Sequence, residues 1–224
     1  MSHAVIIPVL NEASQLPALF ELLLPLQRAG CEIIFSDGGS TDGSTNLAEM
    51  AGFTVVKSER GRALQMNVGA AQASADTLLF LHADTHLPQG ALRHIDVALR
   101  QSKYCWGRFD VCIAGNPFML RIVSHMINLR SRVSGIATGD QAIFVRRSVF
   151  EHLGGFPVQP LMEDVELSKR LLGISRPACL KQCVTTSGRR WEARGIWHTI
   201  FLMWRLRWAY WRGTNADELA RLYR

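Results

Sequence analysis

The chain has 224 residues, 48% hydrophobic and 20% charged, with a formal net charge of +6. That balance supplies a sizeable core and excludes a globally disordered chain. Six arginines between residues 189 and 212 face a single acid, Glu192, so the basic excess is one local feature and argues against a broad nucleic-acid face.

Ala4–Val9 is a continuous apolar run, as expected of a parallel strand buried on both faces. The run to Leu10 contains Pro8 and stops at Asn11, too short for a signal peptide or a membrane span. Ser14 to Arg28 reads as a helix with Leu16, Leu19, Phe20, Leu23 and Leu24 on one face and Gly30 ending it. Glu32–Ser36 is a second strand, and Asp37 to Gly43 is a Gly-rich turn opening a helix to about Met50. A third strand at Phe53–Lys57, a helix at Ala63–Ala73 and a fourth strand at Thr77–Leu81 follow. Strands alternating with helices predict an α/β fold with a mostly parallel central sheet flanked by helices.

The second half is less regular. Trp106–Ile113, Ala142–Arg146 and Ala178–Thr186 read as strands, and Phe118–Arg132 and Glu163–Leu172 as helices. One long helix is expected from about Glu192 to Trp211, and Thr214 to Glu218 offers an N-cap for a last short one. Residues 1–188 are expected to form the main domain, with 189–224 a helical C-terminal extension of that same domain. The five cysteines are scattered with no Cys-x-x-Cys pair, which reads as reduced thiols of a cytoplasmic protein.

In parallel sheets ligands sit where strands end, and polar clusters stand there. Asp37 follows a strand; its carboxylate suits either a base imino N–H or its own Asx turn. His82 and Asp84, two apart at a strand end, are expected to share a side, and one carboxylate plus substrate phosphates is a usual cage for Mg²⁺ or Mn²⁺. Glu163 and Asp164 open a helix, where acids either complement the dipole or serve as a general base.

Taken in order, Pro8-Val9-Leu10-Asn11-Glu12, Asp37 to Ser44, Gly61 to Gly69, Leu81-His82-Ala83-Asp84, Gly154-Gly155-Phe156-Pro157 and Glu163-Asp164-Val165-Glu166-Leu167 resemble the family-2 glycosyltransferases of GT-A fold, across roughly residues 3–191. The resemblance implies that Pro8, Asn11, Glu12, Asp37, Arg62, Gln65 and Asn67 bind the nucleotide, and that Asp84 matches the last acid of the family's DxD motif. His82 stands where many relatives carry the first acid. Asp164 would be the catalytic base of an inverting transfer, Glu163 its support, with Gly139, Asp140, Gln141, Arg190 and Trp191 at the acceptor side. Ser187 replaces the Gln of the QxxRW signature of processive members, so a single, non-processive transfer is implied. The His-Ala-Asp variant and the Arg-Arg-Trp ending also resemble a small bacterial branch, the arsenosugar-biosynthesis-type glycosyltransferases.

The implied partners are a nucleotide-sugar donor, UDP by family default with GDP open, and a hydroxyl acceptor, a lipid-linked one among the options. Two competing readings are a non-catalytic nucleotide-sugar-binding module and a sugar-nucleotide pyrophosphorylase. The latter lacks its expected Arg- and Lys-bearing loop, since Leu10-Asn11-Glu12-Ala13 stands after the first strand. Finally, Trp197, Phe201, Trp204, Trp208 and Trp211 form one stripe at helical spacing. It suits packing on the domain, a peripheral contact at the inner membrane surface, or a homodimer seam through 192–212.

Overall fold

A computed structural model describes residues 1–115 and 118–223, without the Arg190 side chain. The first half alternates as read: β1 (His3–Val9), α1 (Leu16–Arg28), β2 (Glu32–Asp37), α2 (Ser44–Met50), β3 (Thr54–Lys57), α3 (Arg62–Gln72) and β4 (Thr77–Phe80). Then come β5 (Thr85–His86), α4 (Ala91–Leu99), β6 (Trp106–Ala114), α5 (Phe118–Ser134) and a 3-10 turn at Gly139–Gln141. The chain continues through β7 (Phe144–Arg146), α6 (Arg147–His152), α7 (Glu163–Leu172), β8 (Ala178–Ser187), α8 (Arg189–Arg194), α9 (Ile196–Trp211) and α10 (Ala216–Tyr223).

The eight strands form one sheet in the order β3-β2-β1-β4-β7-β6-β8-β5. It is parallel through β3, β2, β1 and β4 and mixed beyond, where β7 runs antiparallel to both β4 and β6 while β8 lies parallel to β6. Alternation along β1 divides the core: Val5, Ile7 and Val9 face the layer holding α1 and α4, while Ala4 and Ile6 face α3. Gly69 lets α3 lie close, because a Cβ there would stand 2.5 Å from Ile6 Cγ2. After β1 the chain builds β2 and β3 to one side, then returns to add β4 on the other. This reversal opens a crevice beyond the carboxyl ends of β1 and β4.

Besides the short β5 and α6, which the sequence reading does not name, three features differ from it. Helix α4, unanticipated there, buries Ala91, Ile95, Ala98 and Leu99 at i, i+4, i+7 and i+8. The expected long C-terminal helix is two, because Gly195 takes φ 82° with ψ 135°, a positive-φ conformation open to glycine that ends α8 and starts α9. The fourth strand stops at Phe80, so His82, Ala83 and Asp84 lie in a turn closed by Thr85 N–H donating to His82 O at 3.0 Å.

Helix α5 is tied to β6 by a buried ionic cluster. Arg108, with a fully buried side chain, pairs with Asp110 and donates from Nε to Ser131 Oγ at 3.0 Å; Arg132 also pairs with Asp110. A buried cation that loses its anion is costly. Asp110→Ala is therefore expected to lower unfolding free energy by about 3 kcal/mol in urea titration. A loss below about 1 kcal/mol, the range of an exposed pair, would dismiss the cluster as a structural tie.

Candidate active site

The crevice at the switch point opens into a cavity of about 880 Å³. Its floor comes from the end of β1 (Pro8, Val9, Leu10) and from Glu12; Arg60 and the first turn of α3 supply Arg62 and Gln65. The His82–Asp84 turn, Gly139, Asp140 and the start of α7 with Glu163 and Asp164 close the opposite side.

Each wall has a local cause. Gln65, 4% exposed, donates from its amide nitrogen to Val9 O at 2.7 Å and Ser36 O at 2.9 Å, pinning α3 to the ends of β1 and β2. Asn67 clips α3 to the loop before α7: its amide donates to Phe156 O, and its Oδ1 accepts from Phe156 N, both at 2.8 Å. Phe156 in turn packs edge-on against Phe80 at the end of β4. Asp164 Oδ2 accepts the Gly139 N–H at 2.7 Å and its Oδ1 the Val165 N–H at 2.7 Å, so the carboxylate joins α7 to the 3-10 turn. A Cβ on Gly139 would stand 2.6 Å from His82 Nε2, so glycine lets the turn meet the imidazole.

Glu163 lies 3.3 Å from Arg62 Nη1 and is 2% exposed. Burial raises its pKa above the ordinary glutamate range, the neighbouring Asp164 adds to the rise, and Arg62 opposes it. Burial likewise raises Asp140, against the pull of a Thr138 hydrogen bond and the Arg130 charge. Among the described non-glycine residues positive φ occurs at Asn11 (56°), Ala142 (47°) and Met162 (66°), which are the neighbours of Glu12, of the Gly139–Gln141 turn and of Glu163. Such backbone strain concentrates at working sites.

Several residues expected to bind a ligand do not line the cavity. Asp37, 5% exposed, accepts from Gly39 N at 3.0 Å and from Ser40 N at 3.1 Å, so its carboxylate holds its own turn. Asn11 braces that turn by accepting from Thr41 N at 2.8 Å, and Asn67 makes the clip described above. Gln141 is fully buried and caps the 3-10 turn from within. Trp191 lines the cavity, and the Arg190 side chain lies outside the described residues.

Of the C-terminal wall sequence reasoning named Trp191 and left out the rest. Arg189, Arg194 and Arg207 of the basic segment, with Met203, Leu206 and Tyr223, complete the cavity lining. Their charge was legible in the sequence, but their direction depends on how α8, α9 and α10 fold back. With Arg60 and Arg62 they bring five guanidinium groups to a cavity that also holds the acids Glu12, Asp84, Asp140, Glu163 and Asp164, and guanidinium is a group suited to a polyphosphate.

Asp84 is the one carboxylate on the His82–Asp84 turn, and it accepts from Thr85 Oγ1 at 3.3 Å. Among the described residues no group of three or more His, Cys, Asp or Glu side chains is arranged to hold a metal. A single acid fits Mg²⁺ or Mn²⁺ when substrate phosphates and water complete the coordination, and His82 is a further nitrogen donor on the same turn.

A family model described as Glycosyl transferase family 2 matches residues 4–154. The PGL/p-HBAD biosynthesis glycosyltransferase of Mycobacterium bovis is 27% identical over 177 residues, covering 68% of this chain and 62% of that protein. The chain thus spans less than two thirds of the length of that relative. Among solved structures, S. aureus TarS (1–349) superposes with a TM-score of 0.66 at 19% identity, over 84% of this chain and 61% of that one. Mannosyltransferase PcManGT from Pyrobaculum calidifontis, solved with GDP-Man and Mn²⁺, gives 0.64 at 20% identity, over 92% and 60%. These two likenesses establish the GT-A fold alone.

The raised pKa of Glu163 gives a signed expectation. A carboxyl raised in the folded chain holds its proton where the unfolded chain has released it. Its contribution to stability therefore falls as pH rises from the ordinary glutamate range through the raised value. The melting temperature of the wild type minus that of Glu163→Gln should decline across that window; a difference independent of pH would show that burial does not perturb this group.

Proposed function

Because the chain belongs to glycosyl transferase family 2, we propose that it moves one sugar from a nucleotide diphosphate donor, a UDP-sugar by preference, to an acceptor hydroxyl with inversion. One observation carries this reading. The carboxylate at 84 and the adjacent pair at 163 and 164, far from it in the chain, line one cavity that also gathers five arginines.

In this reading residues 1–188 and the extension 189–224 act as one domain. The nucleotide lies over Pro8, Glu12 and the turn that Asp37 and Asn11 brace, with Gln65 and Asn67 holding α3 in place. Arg62 and Arg60 approach the diphosphate from the α3 side, and Arg189, Arg194 and Arg207 from the C-terminal side, where fixed cations favour charge building on the leaving group. Asp84, with His82 beside it and the donor's phosphate oxygens, would hold Mg²⁺ or Mn²⁺, which when bound supplies further neutralisation of that charge.

The acceptor enters between the 3-10 turn and Trp191. As its oxygen bonds to the anomeric carbon, the bond from that carbon to the diphosphate oxygen breaks, and the hydroxyl proton passes to Asp164. The Gly139 and Val165 amides orient the Asp164 carboxylate for this step. Glu163 keeps Arg62 directed at the donor. A single displacement of this kind inverts the anomeric centre.

Donor-dependent release of UDP, measured with Mn²⁺ and a panel of acceptors, tests the assignment. Asp164→Asn and Asp84→Ala should each lower the rate by about 10²- to 10⁴-fold without loss of fold. Full activity in either variant would refute the role given to that residue. Tight donor binding with no release for any acceptor would favour a binding module instead.

A further inference from the structure

The stripe Trp197, Phe201, Trp204, Trp208 and Trp211 does not pack on the domain: these side chains are between 59% and 78% exposed. The opposite side of α9 is the inner one, with Thr199 and Leu206 buried and Met203, Leu206 and Arg207 walling the cavity. A surface helix ordinarily turns its polar residues outward. In α9 the outward row is aromatic throughout, so something other than water covers it.

Two occupants compete, a bilayer surface and a second copy of this chain. Charge decides between them. Helix α9 carries no acid, and Arg205 and Arg212 are exposed beside the aromatic row, with the Arg212 guanidinium 5.2 Å from the Trp208 ring centre. A two-fold seam through this row would set the same acid-free helix on both sides and offer these arginines no anion. Lipid phosphates would instead be their counter-ions, and Trp is the side chain favoured at a membrane–water boundary. The neighbouring α5 repeats the pattern: it has no acid, Arg121 is exposed, and Phe118, Ile122, Met126, Leu129 and Val133 form an exposed row. The two helices adjoin where Ile196 and Ile200 pack beside Leu120 and Val123. Among the described residues no helix is long and apolar enough to cross a membrane, and the 16 residues of α9 span about 24 Å, suited to lying in the plane of the surface.

We infer that α9 docks the chain on an anionic phospholipid surface, its aromatic row in the headgroup boundary and its inner face forming the cavity wall. The inference stands apart from the sugar-transfer reading, and its test reads no transfer.

The experiment is co-sedimentation of the full chain with phosphatidylcholine vesicles and with vesicles rich in phosphatidylglycerol. The wild type should bind the anionic vesicles, several-fold less at about 0.5 M salt than at about 0.1 M. Trp204→Ser with Trp208→Ser should lower the bound fraction about tenfold. Arg205→Gln with Arg212→Gln should weaken binding to anionic vesicles only. Circular dichroism and melting temperature, expected unchanged for these exposed positions, verify that each variant is folded. No binding by the wild type, or equal binding by the folded Trp variant, overturns the inference. A dimer in analytical ultracentrifugation that the Trp substitutions dissolve, without vesicle binding, overturns it in favour of a second copy.

Discussion

The site depends on a buried side-chain amide that holds together strand ends about to diverge. Gln65 donates to the carbonyls of both Val9 and Ser36, where β1 and β2 finish and their ladder runs out. Val9 O already accepts the Gly38 N–H at 3.0 Å, so it is the buried Gln65 amide whose protons would cost a few kcal/mol if left without acceptors. Seating that amide on the two carbonyls fixes the start of α3, and with it Arg62 beside Glu163. One turn of chemistry on α3 thus links the floor of the cavity to the acids on its far side. The second clip, between Asn67 and Phe156, holds the loop that leads into α7 by the same logic.

The far side is assembled from segments that the first half of the fold cannot supply. The antiparallel β7 sits between β4 and β6, and the 3-10 turn that precedes it delivers the Gly139 amide to Asp164. The ionic cluster of Arg108, Asp110 and Arg132 fixes α5, and Asn128 of that helix accepts from the Gln141 amide at 3.3 Å. Packing distant from the cavity therefore sets the orientation of the turn that meets Asp164. Helix α9 has a two-sided role. Its inner side carries Met203, Leu206 and Arg207 into the cavity wall, so whatever meets its outer side lies one helix diameter from the site.

Much of this was legible in the residues themselves. The apolar run of β1, the period of α1 and the bounds of α7 follow from local pattern, and the ordered motifs pointed to the family before any coordinates. What failed to read correctly was local geometry with two solutions. His82 and Asp84 share the cavity through a turn rather than through strand alternation, and Gly195 takes a positive-φ conformation that a helical pattern around it conceals. Asp37 illustrates the same ambiguity, since a carboxylate after a strand can face a ligand or bond the next amides, and here it bonds Gly39 and Ser40.

The sequence by itself determined the α/β alternation, the family and the acids worth watching, because these rest on periodicity and on residue types at short spacing. Only the tertiary structure decided which of them meet. Asp84 and Asp164 are eighty residues apart in the chain, and nothing in their neighbours states that β1, the turn after β4 and the start of α7 converge. It also decided that Arg189, Arg194 and Arg207 line the cavity while Arg205 and Arg212 do not. A helix has two sides, and which one is covered depends on partners far away in sequence.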